Sequence, residues 1–288
     1  MTSHAFAASG KLFIVATPIG NLKDISQRAL ETMQHVALIA AEDTRHSAKL
    51  MQHYGITTPL QALHEHNELH QAPKLIQRMQ GGSDIALISD AGTPLVSDPG
   101  LNLVRLCREA GIQVVPVPGA SAAITALSVA GLPSDRFCFE GFLSAKSGAR
   151  ERTLQALVTE TRTLIFYEAP HRIVASCMAM RDVFGSERRA VIARELTKRF
   201  ETVHGATLAE LCEWLQADEN QQKGEFVVIV HGAEAEDPHE LDDDSRHLIE
   251  TLLGDLPLKQ AVSLAVKISG LKKNAIYQYA VSLKSADD

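Results

Sequence analysis

Apolar residues recur along this chain in two rhythms. Short unbroken runs, Leu12-Phe-Ile-Val-Ala16, Val36-Ala-Leu-Ile-Ala40, Ile85-Ala-Leu-Ile88 and Val114-Val-Pro-Val117, read as buried strands. Between them the spacing is helical, around Ile25 to Met33, Ser47 to Tyr54, Ala72 to Met79 and Gly100 to Ala110, with Gly111 as a C-terminal cap. Strand alternating with helix predicts a parallel sheet with helices on its faces. A second series follows: Phe137-Cys-Phe-Glu140, Thr163-Leu-Ile-Phe-Tyr167, Ala190-Val-Ile-Ala193 and Phe226-Val-Val-Ile-Val230. A helix from Ser121 to about Val129, closed by Gly131-Leu-Pro133, joins the two series.

The character changes at Ala233-Glu-Ala-Glu-Asp-Pro-His-Glu240, an acidic stretch that reads as a linker. Beyond it the pattern is wholly helical. Leu248, Ile249, Leu252 and Leu253 share one face, Ala261, Leu264, Ala265 and Ile268 a second, and Ile276, Tyr279, Ala280 and Leu283 a third. With Gly270 between the last two, these resemble a helix-turn-helix unit. The expected organisation is therefore two successive α/β domains, with mostly parallel or mixed sheets, plus a small C-terminal helical domain. Their expected bounds are a lead-in at 1–10, α/β domains at 11–122 and 123–232, an acidic linker at 233–244 and a helical tail at 245–288.

One stretch carries unusual density. After Ile85-Ala-Leu-Ile88 come Ser89-Asp-Ala-Gly-Thr-Pro94 and then Leu-Val-Ser-Asp-Pro-Gly100. Small and turn-forming residues crowd the strand's carboxyl end, where open α/β sheets bind ligands. Asp90, Gly92 and Thr93 let backbone approach a bound molecule while offering polar groups.

Composition narrows the chemistry. The 288 residues are 45% hydrophobic and 22% charged, ordinary for a globular protein, with a formal charge of −7. A chain so charged is not globally drawn to nucleic acid, so any RNA contact must be local. Lys259, Lys267, Lys272, Lys273 and Lys284 make the tail such a place. The four cysteines are far apart and suggest reduced thiols in a cytoplasmic protein. No leader or membrane-spanning pattern is expected.

Nucleotide motifs are absent. The first strand is followed by Ala16-Thr-Pro-Ile-Gly-Asn-Leu22, not G-x-G-x-x-G, and no G-x-x-x-x-G-K-[ST] loop occurs. His64 and His66 lack a second cluster, so no metal site is expected. Three polar clusters sit where strands end: Glu42-Asp-Thr-Arg-His46, Glu168-Ala-Pro-His-Arg172 and Arg194-Glu-Leu-Thr-Lys-Arg-Phe-Glu201. Each reads either as an ion pair closing a sheet edge or as part of a site for an anionic substrate, its cations holding phosphates.

Taken together, these motifs resemble a known family. The Thr-Pro-Ile-Gly-Asn loop, Ser89-Asp-Ala-Gly-Thr-Pro94 and Pro118-Gly-Ala-Ser-Ala122 are similar to the tetrapyrrole methylase superfamily of S-adenosylmethionine-dependent methyltransferases. Ala41-Glu-Asp-Thr-Arg45, Glu168-Ala-Pro-His-Arg172, Arg194-Glu-Leu-Thr-Lys198 and Lys223-Gly-Glu-Phe-Val227 resemble its small-subunit ribosomal RNA 2'-O-methyltransferase I branch. The resemblance implies S-adenosylmethionine as methyl donor, no metal, a cytidine ribose of 16S rRNA, free or in the small ribosomal subunit, as acceptor, and a homodimer. It implies donor contacts at Ile19, Ala91, Gly92, Thr93, Val96, Ser121, Ala122, Tyr167, Glu168 and Ala206. Porphyrin-directed members carry a Gly-Pro-Gly-Asp type loop in place of Pro18-Ile-Gly-Asn21 and commonly methionine in place of Glu168. Both departures favour the ribosomal branch. Rival functions are methylation of a tetrapyrrole-like small molecule and RNA binding without catalysis.

Methyl transfer from a sulfonium to a hydroxyl is an in-line displacement. Alignment can contribute roughly 7–11 kcal/mol, and a general base about 10²–10⁴-fold. Asp43, Glu168 and Glu195 are the candidate bases, and Arg45, Arg172, Lys198 and Arg199 the candidate phosphate contacts.

Overall fold

The computed structural model describes residues 9–234, 241 and 243–286, in two compact units divided at Ala233/Glu234. The expected lead-in's first eight residues, most of the acidic linker and the Lys284 side chain lie outside the described residues.

The first sheet is parallel throughout. Its strands are β1 (Leu12–Val15), β2 (Leu38–Ala41), β3 (Leu60–Ala62), β4 (Ile85–Ile88) and β5 (Val114–Val117), in the order β3-β2-β4-β1-β5. Between them run α1 (Gln27–His35), α2 (Thr44–His53), α3 (Glu68–Gln80) and α4 (Leu101–Glu109). Side chains alternate across the pleat and so feed two cores. Leu12, Leu38, Ala40, Ile85 and Leu87 pack with Leu75, Met79 and Leu103 of α3 and α4. Val15, Ile39, Ala41, Ala86 and Ile88 pack with Met33 and Met51 of α1 and α2. Adjacent strands β1 and β4 send the chain towards opposite edges of the sheet, which opens a crevice at their carboxyl ends.

The second sheet is mixed. It holds β6 (Phe137–Phe142), β7 (Thr163–Glu168), β8 (Arg189–Arg194), β9 (Thr202–Thr207) and β10 (Phe226–Val230), in the order β6-β7-β10-β8-β9. Only β6 and β7 pair in parallel; β10 runs antiparallel to both β7 and β8, and β9 antiparallel to β8. One face is covered by α6 (Ser147–Ala156), α7 (Ile173–Phe184) and α8 (Leu208–Ala217). In that core Cys177 and Cys212 stand 3.2 Å apart as free thiols. The other face receives α5 (Ala122–Ala130), whose Ala123, Ala126 and Leu127 pack on Ile165, Val191, Val227 and Ile229. Ile19, from the loop after β1, joins the same cluster and ties the two sheets together.

The tail forms α9 (Asp243–Asp255), α10 (Leu258–Ser269) and α11 (Lys273–Ala286) around Ile249, Val262, Ala265, Ile276 and Ala280. One expected face needs correction. In α10 the inward stripe is Ala261, Val262 and Ala265, whereas Leu264 and Ile268 are exposed. The neighbours at i+1 and i+4 bury the stripe one position away from the one expected. Lys259, Lys267, Lys272 and Lys273 are all exposed.

Candidate active site

A cavity of about 370 Å³ lies between the two sheets. From the first sheet it is lined by Ile19 after β1, Glu42 after β2, and Asp90 to Thr93 and Val96 to Asp98 after β4. Ser121 and Ala122 add the start of α5. From the second sheet come Phe142, Tyr167 to Pro170, Ala193, Leu196 and Glu225 to Val227.

The loops that form it are clipped together. The Thr17 amide donates to the Gly92 carbonyl at 2.8 Å and the Gly92 amide returns to Thr17 at 3.0 Å. Thr17 Oγ1 donates to Ser89 O and Thr93 Oγ1 to Ala120 O, so the loops after β1, β4 and β5 share one hydrogen-bonded frame. Gly92 has φ +81, and a Cβ there would sit 3.4 Å from Ile19 Cγ2. Among the described non-glycine residues, positive φ occurs at Leu95, Ser97, Glu195 and Thr197 only. All four lie in the loops after β4 and β8, and strain so concentrated marks a functional place.

Electrostatics divides the lining. Burial pushes the Asp98 carboxyl up to about 6, with the Ser89 hydroxyl opposing and the charges of Glu42 and Asp90 adding. Burial, then the Asp90 charge, raises Glu42 as well. These acids face the cavity without an ion-pair partner among the described residues.

The three candidate bases behave differently. Asp43 N-caps α2, accepting from the Arg45 amide at 2.8 Å and pairing with its guanidinium at 3.1 Å. Hydrogen bonding from Arg45 holds it down at about 2, and it does not line the cavity. Glu168 lines the cavity but is buried, with its oxygens on the Ser176 hydroxyl at 2.5 Å, the Ala169 amide at 2.8 Å and Arg172 at 3.0 Å. Glu195 accepts from Lys198 Nζ and from the Glu225 amide, both at 3.0 Å. Burial opposes but does not overcome these contacts, and its carboxyl lies below the usual range. Gly224 makes room for it: at φ +98, a Cβ there would meet Glu195 Cγ at 2.5 Å.

Of the expected donor contacts, Ile19, Ala91, Gly92, Thr93, Val96, Ser121, Ala122, Tyr167 and Glu168 converge on the cavity. Ala206 does not: it is paired with Ala190 within β9 and lies outside the lining. Among the expected phosphate contacts, Arg172, Lys198 and Arg45 are held in ion pairs, Arg45 on the exposed surface, and Arg199 is exposed; neither Arg45 nor Arg199 lines the cavity. As site residues, sequence reasoning passed over Glu42, Asp98 and Glu225 to Val227, although all stand inside quoted motifs, and over Phe142 and Ala193.

Residues 11–212 match the family model described as Tetrapyrrole (Corrin/Porphyrin) Methylases, and residues 239–284 match the RsmI C-terminal HTH domain. A relative from Pseudomonas aeruginosa called "Ribosomal RNA small subunit methyltransferase I" is 59% identical over 275 residues, covering 95% of this chain and 98% of its own. The protein of the same name from Escherichia coli O157:H7 is 57% identical over 283 residues, 98% of this chain and 99% of its own.

The chain belongs to the tetrapyrrole methylase superfamily and, within it, to the ribosomal RNA small subunit methyltransferase I family.

The resemblance read from the motifs therefore holds, as does the expected fold class. The methyltransferase CobJ superposes with a TM-score of 0.59 at 18% identity, covering 78% of this chain and 95% of its own. Uroporphyrin-III-C-methyltransferase from Thermus thermophilus gives 0.56 at 19%, covering 77% and 94%. At that distance the likeness is one of fold. Among the described residues no helix is long and apolar enough to cross a membrane.

Proposed function

We propose that this methyltransferase moves a methyl group from S-adenosylmethionine to the ribose 2'-hydroxyl of a cytidine in 16S rRNA, as a cytoplasmic homodimer acting on the rRNA or the small ribosomal subunit. The observation that carries this reading is the near-full-length identity to proteins named ribosomal RNA small subunit methyltransferase I, which extends through the tail.

The cavity suits the donor. Its volume falls within the range of small-molecule sites, roughly 300–1,000 Å³. Gly92 leaves its backbone bare, and Glu42, Asp90 and Asp98 favour a cationic sulfonium and ammonium. Ile19, Ala91 to Thr93, Val96, Ser121, Ala122 and Tyr167 are the residues that would hold it. When bound, S-adenosylmethionine supplies an already activated methyl group. The chain's own task is to fix the ribose hydroxyl in line and to receive its proton.

Asp98 is the group best suited to receive that proton. It lines the cavity, and a carboxyl raised to about 6 is a stronger base than one at its ordinary value while still ionised at neutral pH. Asp43, Glu168 and Glu195 take positioning roles instead, since each is committed to a cap or an ion pair. Exposed Arg45, Arg199 and the tail lysines are the cations assigned here to RNA phosphates, on the support of their charge and exposure.

Transfer of labelled methyl to naked 16S rRNA, assembled small subunits and a porphyrin precursor tests the reading. Label in the RNA, recovered as 2'-O-methylcytidine, is the expected result. Label in the porphyrin alone, or in nothing, overturns it in favour of one of the two rivals.

A further inference from the structure

Phe142 is the last residue of β6, at the edge of the second sheet. In a regular strand, residues three apart point to opposite faces. Here the register with β7 shifts between Phe139 and Gly141: Phe139 faces Ile165, Gly141 faces Phe166 and Phe142 faces Tyr167. The extra residue, Glu140, brings Phe139 and Phe142 onto the same face. Both rings accordingly meet Tyr167 edge-on, with centroids at 4.8 and 5.5 Å. Bulges of this kind re-aim side chains beside active sites.

The re-aimed ring stands at the rim of the cavity and is 53% exposed. Its orientation is set. Tyr167 abuts it, and the Arg172 guanidinium lies 5.9 Å from its centroid. Arg172 is itself fixed by Glu168 at 3.0 Å and by donation to Leu143 O at 3.1 Å. At Gly141, with φ +65, a Cβ would come 3.2 Å from Ser97 Oγ, so the strand end rests against the loop that carries Asp98. A positioned, half-exposed aromatic ring beside the proposed base is not required to close either core.

We infer that Phe142 is the platform on which the base of the target nucleotide stacks, its ribose then reaching the Ser97–Asp98 loop. The inference rests on the RNA reading above. RNA enzymes and binders recognise unstacked bases through aromatic faces, often with an arginine plane alongside. A ring pinned by Arg172 and Tyr167 offers such a face at little entropic cost.

The test uses the full chain, small subunits assembled from unmethylated 16S rRNA, and labelled S-adenosylmethionine. Single-turnover transfer is measured against subunit concentration for Phe142→Ala, Phe142→Leu and Phe142→Trp, with donor affinity by calorimetry and oligomeric state by light scattering. The half-saturating subunit concentration should rise about 5- to 100-fold for Ala and Leu. Trp should stay near wild type, and donor affinity should be unchanged in all three. Leu performing as wild type would show that bulk and not a π face is needed. Donor affinity falling in step would give the ring to the donor's adenine, and a change of oligomeric state would give it to a subunit contact. Any of these overturns the inference while leaving the RNA reading intact. Wild-type protein that labels no RNA removes both.

Discussion

All five strands of the first sheet run one way, so everything that sheet lends to the cavity comes from carboxyl ends and the loops beyond them. The second sheet is mixed and lends both kinds of end. Phe226 pairs with Glu168 on one side and Arg194 on the other, so the amino end of β10 sits level with the carboxyl ends of β7 and β8. The chemistry differs with the topology. The first rim presents bare backbone at Gly92 and acids without ion-pair partners among the described residues, Glu42, Asp90 and Asp98. The second presents Glu168, already engaged with Arg172, beside the rings of Tyr167 and Phe142, with the Glu195–Lys198 pair just outside the lining. Reactivity is thus expected from the first rim, and shape and alignment from the second.

Four substitutions probe that division. The largest effect is expected from Gly92→Val, which places a branched side chain at φ +81 against Ile19. Donor binding should vanish in calorimetry while circular dichroism stays that of a folded protein; unchanged affinity would remove the loop from the donor site.

Next is Asp98→Asn, with a loss of about 10²–10⁴-fold in single-turnover rate. The pH profile carries the sign. Only the ionised carboxyl accepts a proton, so the wild-type rate should climb through pH about 6 and level off above it. The variant should lack that limb. A raised carboxyl also means that its ionised form is disfavoured in the fold, so the variant should melt higher than wild type at pH 8 and gain nothing at pH 4.

Glu195→Gln is the second rim's counterpart. It removes one of the two carboxylates that hold Lys198, leaving Glu225 at 2.8 Å, and should weaken RNA engagement several-fold with little change in rate at saturating subunits. A rate loss matching that of Asp98→Asn would erase the contrast between the rims. The smallest effect is expected from Asp43→Ala. Loss of the α2 cap should cost about 1 kcal/mol in denaturant melts, with turnover at saturation close to wild type.

Much of this was legible in the chain. The buried strands β4 and β10 are unbroken apolar runs, and the Ser89 to Gly100 stretch announces itself by density. Of the four edge strands among the described residues, β5 and β6 were legible as apolar runs, and β3 and β9 were not. In β3, Leu-Gln-Ala is half-buried throughout, and in β9, Thr-Val-His-Gly-Ala-Thr carries polar residues that a central strand would exclude. The site was read by assuming that ligands meet carboxyl ends, which finds Glu168 and misses Glu225 to Val227, since strand direction within a mixed sheet is set by tertiary pairing. Asp98 was hidden for another reason: its basicity comes from burial and from Glu42 and Asp90, residues that only folding brings near. The shift in β6 that turns Phe142 has no local signature beyond Glu140-Gly141.

The reciprocal pair of bonds between Thr17 and Gly92 bears on motion. Neither amide can exchange its hydrogen with water unless the loops after β1 and β4 part together, so the two amides should show one common protection factor. A molecule gripping either loop would slow both. Hydrogen exchange at this pair would then report occupancy of the cavity from its floor, without a label on donor or acceptor.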